Sequence, residues 1–276
     1  MSVINTNVKS IVAQNALAVN NRSLSKAMEQ LSTGKRINTA ADDAAGLAIT
    51  DRMTAQIRAL NQSIRNANDA VSMMQTAEGA TNEISNMLQR MRELAVQSAN
   101  DSYGTNDRSA LQTENDQLKE EITRIANNTQ WNGMSVLNGN IGSAGVVTFQ
   151  VGTQGDATSS ITVEFKALDA TTLTVDSLQL DSNANAQAAI GKLDTAIQTV
   201  DTFRATLGAK INRMTSAADN LSNVSMNTSA SRSRILDADY AQATTELARS
   251  QIIQQAATAM LAQANQQPQA VLSLLK

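Results

Sequence analysis

A regular spacing of apolar residues between Met53 and Met74 constrains this chain more than any other feature of its sequence. The steps alternate between four and three residues, which is the pattern of an α-helix that packs along one seam against other helices. Polar residues fill the positions between the steps, so the helix needs partners to bury its single apolar stripe. The seam residues are Met53, Ile57, Leu60, Ile64, Ala67, Val71 and Met74.

A second seam with the same spacing lies between Ile190 and Leu221, and only Arg204 interrupts it. Two matching seams separated by a long stretch of chain predict that the chain runs out, turns round and packs back on itself. The residues of the second seam are Ile190, Leu193, Ile197, Val200, Leu207, Ile211, Met214, Ala218 and Leu221.

The composition favours thin helical bundles over a thick globular core. Hydrophobic residues make up 42% of the chain, but aromatic residues only 2%, and thick cores normally use aromatic side chains as large fillers. The only proline is Pro268, so almost the whole length is free of the strongest helix breaker. We therefore predict a mainly α fold: a long antiparallel helical bundle formed by the two terminal regions, with a small β-hairpin region in the middle.

Most enzyme and metal chemistry is excluded by what the chain lacks. The sequence contains no cysteine and no histidine, which rules out disulfides, thiolate or imidazole metal sites and histidine-based catalysis. The net charge of −3 gives no reason to expect nucleic acid or an anionic membrane as a partner. The acidic pair Asp42 and Asp43 has no third ligand nearby and is interpreted as a helix start capped by Asn38 or Thr39. We predict no enzymatic activity, no metal and no cofactor.

Helical spacing predicts five helices, and alternation predicts one hairpin. The two terminal helices have diluted apolar stripes, and such helices are marginal unless other helices pack on them. The predicted helices span 1–33, 43–99, 106–128, 185–230 and 234–265, and the predicted strands span 146–151 and 160–165. Weak helices at both ends of a chain favour assembly with other copies, and a repeated contact that does not close gives a helical filament.

Several segments closely resemble bacterial flagellin, the subunit of the flagellar filament. They are LSTGKRINTAADDAAGLAI, NANDAVSMMQTAEGA, LQRMRELAVQSAN, SRSRILDADYAQATTELARSQIIQQA and AMLAQANQQPQAVLSLLK. The resemblance covers about 1–135 and 185–276, and it implies a short form without large variable outer domains. It also implies an inner core domain (1–40 plus 235–276), a rod domain of long helices (41–140 plus 185–234) and a short hairpin insert (141–184).

The resemblance implies the function and the partners of the chain. Flagellins are secreted, extracellular subunits that polymerise with themselves into the propeller used for swimming. The family is exported unfolded through a type III export apparatus with the help of an export chaperone, and is assembled at the distal tip beneath a cap protein. A hook–filament junction protein lies at the base of the filament.

Two sets of residues follow from the resemblance as site predictions. The segment QRMRELAV is similar to the one that a vertebrate Toll-like receptor contacts in some flagellins, together with a glutamate on the following helix, and the same face is expected to make protofilament contacts. The corresponding residues are Gln89, Arg90, Glu93, Leu94 and Glu114. The predicted inner-core assembly seam comprises Val8, Ile11, Leu24, Met28, Leu31, Leu236, Tyr240, Leu247, Leu261, Leu272 and Leu275.

Three alternatives remain open on the sequence alone. A hook–filament junction protein shares the terminal helices, although the C-terminal LAQANQQPQAVLSLL favours the filament subunit. A coiled-coil scaffold explains the seams and predicts a discrete oligomer. An enzyme embedded in a filament would need catalytic residues in the central insert, which offers no histidine, metal cluster or nucleophile elbow.

Overall fold

Over residues 6–274, which the computed structural model describes, the chain forms five α-helices and two β-hairpins, with side-chain surroundings described for residues 6–266. The helices are α1 (Val8–Thr33), α2 (Ala44–Ser98), α3 (Thr105–Asn128), α4 (Asn183–Leu236) and α5 (Tyr240–Leu274). The strands are β1 (Gln130–Trp131), β2 (Met134–Ser135), β3 (Val146–Gln150) and β4 (Ser160–Glu164). The mainly α fold with a small β region in the middle is confirmed.

The chain divides into two compact units. The terminal unit comprises Met1–Ala55 and Asn227–Lys276, and the central unit comprises Gln56–Met226. The three-part division made from the sequence stays a prediction.

The two long seams lie inside the helices for which they were predicted, and they form much of the core of the central unit. On α2, Leu60, Ala67 and Met74 are buried. On α4, Leu193 and Val200 are fully buried. Burying a leucine, valine or methionine side chain stabilises a fold by about 1.5–3 kcal/mol, so the helix seams contribute to the stability of this unit together with the rest of its core.

Two side-chain bonds fix the antiparallel register of α2 and α4 in the central unit. Ser225 Oγ donates to Asn61 Oδ1 at 3.0 Å, and Arg92 Nε donates to Asp194 Oδ1 at 2.6 Å. The spacing from Asn61 to Arg92 equals the spacing from Asp194 to Ser225, as an antiparallel pair of helices without a register shift requires.

The hairpins follow the turn chemistry of the sequence. Asn132 and Gly133 both have positive φ, at 49° and 78°, which is the signature of the type I′ turn that asparagine-glycine pairs favour. The second hairpin pairs β3 and β4 antiparallel from Val146 opposite Glu164 to Gln150 opposite Ser160. It packs on the helices through Ile161 and Val163, which are buried.

The sequence analysis missed an irregular segment of turns with buried apolar side chains, residues 168–182, which we call the strap. Its apolar residues alternate with exposed ones and enter the core. Polar side chains of α3 hold its backbone: Lys119 Nζ donates to the carbonyls of Asp176 and Leu178 at 3.1 and 3.0 Å, and Thr123 Oγ1 accepts from the Ala170 amide at 3.4 Å. The strap is thereby fixed along one face of α3.

Asn115, on the same helix, is expected to reduce stability. Its side chain is fully buried, and within the described residues neither of its amide atoms has a hydrogen-bond partner. A buried unpaired amide costs about 1–3 kcal/mol, so Asn115→Leu should raise the thermal unfolding midpoint followed by circular dichroism. Asn127→Leu, at an exposed position of α3, serves as the control and should leave the midpoint almost unchanged. A lower midpoint for Asn115→Leu would contradict this prediction.

Candidate assembly and recognition surfaces

The terminal unit is built on an antiparallel pair of helices, α1 and α5, which we call the terminal helix pair. α1 begins at the N-cap Asn7, whose Oδ1 accepts from the Ser10 amide, and ends at Gly34, which has the left-handed φ of 69° that glycine adopts easily. α5 continues past Pro268 to Leu274, although the sequence analysis placed its end near residue 265.

Three bonds from side chains to backbone carbonyls cross the terminal helix pair. Asn7 Nδ2 donates to the carbonyl of Ala264 at 2.9 Å, and Asn20 Nδ2 to that of Ser250 at 2.8 Å. Tyr240 Oη donates to the carbonyl of Leu31 at 3.0 Å. All three belong to one antiparallel register to within one residue.

The buried seam of the terminal helix pair consists of small and polar residues. Ala27, Asn20, Ala243 and Ser250 are each at most 7% exposed. In the register set by the three bonds, Ala27 lies opposite Ala243, and Asn20 lies opposite Ser250. Small residues let the two backbones come close enough for an asparagine to reach across, but they bury little apolar area. The pair is therefore specific in register but weakly stabilised by its own core.

Eight of the larger apolar residues of the terminal helix pair are exposed, and we call them the exposed apolar set. Each is between 41% and 67% exposed. They are Val8, Ile11, Val12, Val19 and Met28 on α1, and Ile252, Ile253 and Met260 on α5. Exposed apolar residues of this number on two adjacent helices are typical of an interaction surface.

Some residues of the predicted inner-core seam are exposed, and others are half-buried. Three of its residues, Val8, Ile11 and Met28, belong to the exposed apolar set, and Tyr240 is also exposed. Half-buried members are Leu24, Leu31, Leu236, Leu247 and Leu261. The side chain of Leu272 and the whole of Leu275 lie outside the described residues.

The segment between α1 and α2 is held by the acidic pair, but not as the sequence analysis expected. Asp43, not Asn38 or Thr39, caps α2, because its Oδ1 accepts from the Gly46 amide at 2.8 Å. Asp42 accepts from Lys26 Nζ at 2.8 Å and from the amides of Asn38 and Thr39 at 3.2 and 3.0 Å. A carboxylate can cap a helix or hold a loop because its two oxygens accept several hydrogen bonds at once.

These bonds make the stability of this segment depend on pH. The Lys26 ammonium, followed by the Thr39 and Asn38 amides, holds the pKa of Asp42 well below its usual value. A group whose pKa is lowered by folding contributes stability that is present above its unfolded pKa and is lost as the pH falls through its folded pKa. We expect Asp42→Asn to lower the dissociation temperature of assembled protein at pH 7, and the gap from wild type to shrink at pH 3. A gap that does not change with pH would contradict this prediction.

In the central unit, the predicted recognition residues come together on one surface, except for one. Arg90 Nε donates to Glu114 Oε1 at 2.9 Å, and Arg90 NH1 donates to Glu93 Oε2 at 2.9 Å. Glu114, followed by Glu93, raises the pKa of Arg90. Gln89 is exposed beside them, whereas Leu94 is fully buried and lies in the core.

Sequence reasoning missed the asparagines that cross the terminal helix pair. The sequence analysis described the apolar stripe of α1 as diluted and did not single out Asn7 or Asn20. The available signal was their position, since a single asparagine at a buried coiled-coil position is a known device for fixing register. Within residues 6–274, no cluster of metal-ligating side chains occurs and no helix is apolar enough over a sufficient length to cross a membrane.

A mainly helical chain with paired terminal helices and an exposed apolar set belongs to the class of self-associating structural proteins, and comparison with known proteins defines the family. Residues 4–141 match the bacterial flagellin N-terminal helical region, and residues 190–275 match the bacterial flagellin C-terminal helical region. A flagellin of Halalkalibacterium halodurans is 44% identical over 274 residues, covering 99% of this chain and all of that protein. The chain therefore belongs to the bacterial flagellin family: it is a non-enzymatic structural subunit that polymerises into the extracellular flagellar filament.

Other relatives show that this chain is a short form. Flagellin A of Vibrio cholerae is 35% identical over an alignment of 378 positions that covers 99% of both chains, so it carries insertions that this 276-residue chain lacks. A crystal structure of Bacillus cereus flagellin is 38% identical, with a TM-score of 0.50, and covers 57% of this chain and 88% of that one.

The rival interpretation as a hook–filament junction protein finds less support. A putative flagellar hook-associated protein from Vibrio parahaemolyticus has a TM-score of 0.59, covering 71% of this chain and all of that one, but it is only 15% identical. That similarity shows a shared fold alone.

Proposed function

We propose that the exposed apolar set of the terminal helix pair makes the main contacts between subunits in the filament. The observation that carries this proposal is the division of side chains in the pair. Small residues face the partner helix within the chain, whereas Val12, Val19 and Ile252 are 62%, 53% and 67% exposed. Covering such side chains with neighbouring copies would add the apolar burial that the pair itself lacks.

The same division supports a terminal helix pair that becomes fully stable only on assembly. Helices depend mostly on tertiary packing for their stability, and the seam of this pair is mainly alanine, serine and asparagine. A chain whose ends are marginal before assembly is also suited to export in an unfolded state. This proposal includes four partners of the chain. They are a type III export apparatus, an export chaperone, a cap protein beneath which subunits are added, and a hook–filament junction protein to which the filament attaches.

Seeded growth tests the role of the terminal helices directly. The intact chain and a variant lacking residues 1–33 and 240–276 are purified, mixed with fragments of filaments and examined by electron microscopy. We expect long filaments from the intact chain and none from the shortened one, while circular dichroism shows that the central unit of both has the same unfolding midpoint. Filaments from the shortened chain would refute the proposal.

A second proposed role is recognition by the vertebrate Toll-like receptor for flagellin. The support is the surface on which Gln89, Arg90 and Glu93 lie beside Glu114 of α3. Leu94 would act only through the core that supports this surface. The guanidinium of Arg90 presents several donors in one plane, which suits a contact that contributes a large share of the binding energy.

Arg90→Ala should reduce receptor activation by monomeric protein at least about tenfold, as expected for a central interface arginine. The measurement is a dose-response curve on reporter cells that express the receptor. Arg65→Ala is the matched control, since Arg65 is an exposed arginine of the same helix that bonds Gln62, three positions away on α2. Equal losses for the two variants, or no loss for either, would contradict the assignment of this surface.

A further inference from the structure

Pro268 creates an unusual acceptor inside α5. In an α-helix, the carbonyl of residue 264 normally accepts from the N–H of residue 268. Proline has no N–H, so the carbonyl of Ala264 has lost its regular donor, although the helix continues to Leu274. An unpaired backbone carbonyl inside a helix costs free energy unless another donor reaches it.

Asn7 supplies that donor from the other helix. Its Nδ2 lies 2.9 Å from the Ala264 carbonyl oxygen, while its Oδ1 caps α1 by accepting from the Ser10 amide at 3.1 Å. One side chain thus satisfies an unpaired amide at the start of α1 and an unpaired carbonyl near the end of α5. Both groups of the amide are in use. An ionised aspartate at this position would have no donor, and a serine hydroxyl is one atom shorter and cannot reach both partners at once.

A similar arrangement exists at the opposite end of the terminal helix pair. Tyr240, the first residue of α5, donates to the carbonyl of Leu31 in the last turn of α1. The last four carbonyls of a helix have no donor within that helix. Each helix therefore uses a residue at its own start to satisfy a free carbonyl near the end of the other.

We propose that Pro268 and Asn7 together set the register of the terminal helix pair, with the proline exposing one backbone carbonyl and the asparagine recognising it. Because the seam of small and polar residues offers few shape differences between one turn and the next, packing alone distinguishes registers poorly, and a polar contact fixes the register instead. Away from the last turns of the two helices, the only proline of the chain removes the regular donor of one carbonyl, that of Ala264, so this carbonyl marks one register. The contact between Asn7 and Ala264 lies within one chain. Filament formation, the established family property, serves only to measure its effect.

A double-mutant cycle tests this coupling. Asn7→Ser keeps a side-chain acceptor for the cap but removes the amide donor, and Pro268→Ala restores the N–H of residue 268. Wild type, both single variants and the double variant are polymerised on seeds, and the concentration of unassembled protein at equilibrium is measured. We expect Asn7→Ser to raise this critical concentration roughly five- to tenfold. In the Pro268→Ala background, the same substitution should change the logarithm of the critical concentration by less than about a third as much.

Tyr240→Phe is the matched control, because it removes a similar bond whose acceptor does not depend on Pro268. Its effect should be the same with proline or alanine at position 268. Equal effects of Asn7→Ser in the two backgrounds would overturn the proposal. If Asn7→Ser does not assemble at all, the double variant must regain assembly, and failure of the double variant would also overturn it. Failure of the wild-type chain itself to grow on seeds would instead count against the proposed function.

Discussion

Replacing Val12 and Val19 together by aspartate is expected to abolish filament growth while leaving the central unit folded. The two residues lie seven positions apart on one exposed side of α1, so both charges would face the same neighbouring copy. Desolvating an unpaired carboxylate costs several kcal/mol, which should raise the critical concentration at least about a hundredfold. Seeded growth followed by electron microscopy measures this, and the unfolding midpoint of the central unit checks the fold.

Two further variants separate the loss of a contact from a loss of helix. Val12→Thr with Val19→Thr keeps β-branched side chains without a charge, and it should weaken assembly much less. Val146→Lys adds a charge at an exposed valine of the hairpin, opposite Glu164 with which it can pair, and should still assemble. The proposal would be wrong if the Val12 and Val19 aspartate variant assembled as well as the Val146 variant.

Lys119→Met should destabilise the central unit by about 2–4 kcal/mol, because an unpaired buried group costs about 1–3 kcal/mol. The Asp176 carbonyl of the strap loses its donor, and the Leu178 carbonyl keeps only the long 3.5 Å bond from Gln112 Nε2. The Lys119 ammonium bonds the carbonyls of Asp176 and Leu178 and forms an ion pair with Asp116 at 2.7 Å. Its side chain is only 10% exposed, so water replaces these bonds poorly. Methionine has a similar length and keeps most of the packing.

Urea unfolding followed by circular dichroism measures this loss, and Lys166→Met provides the control at an exposed lysine. Lys119→Met should also increase amide hydrogen exchange in the strap before other parts of the unit. Lys119→Met should lower the stability of the unit, whereas Asn115→Leu should raise it. The two variants on α3 therefore test whether a buried polar residue stabilises the fold only when it is hydrogen-bonded. A Lys119→Met variant as stable as wild type would show that the strap finds other donors.

The helices could be predicted from the sequence because their signals are local. The seam from Met53 to Met74 and the capping position of Gly34 depend only on neighbouring residues, and the observed helix ends lie within about two residues of those predicted for α2 and α3. The end of α5 was missed for the opposite reason. Proline normally ends a helix because a carbonyl is left unpaired, and here the missing donor comes from Asn7 at the other end of the chain.

Parts of the candidate surfaces were equally beyond local reasoning. The sequence analysis assigned Arg90 and Glu114 to one site through the resemblance, and the structure places Arg90 Nε 2.9 Å from Glu114 Oε1. The burial of Leu94 and the outward direction of Val8, Ile11 and Met28 depend on which side of each helix meets its partner. A 3/4 spacing identifies an apolar stripe, but it does not say whether that stripe meets the same chain or another copy.

The terminal helix pair also sets an order of events in time. Its bond between Asn7 and Ala264 joins residues 257 positions apart in the chain, and contacts with such a large sequence separation form late because the intervening loop must close first. α1 emerges early from a ribosome, whereas its partner α5 emerges only after the whole central unit has been synthesised. Completion of the pair therefore requires synthesis through α5, and a chain truncated before α5 would lack the partner for its first helix.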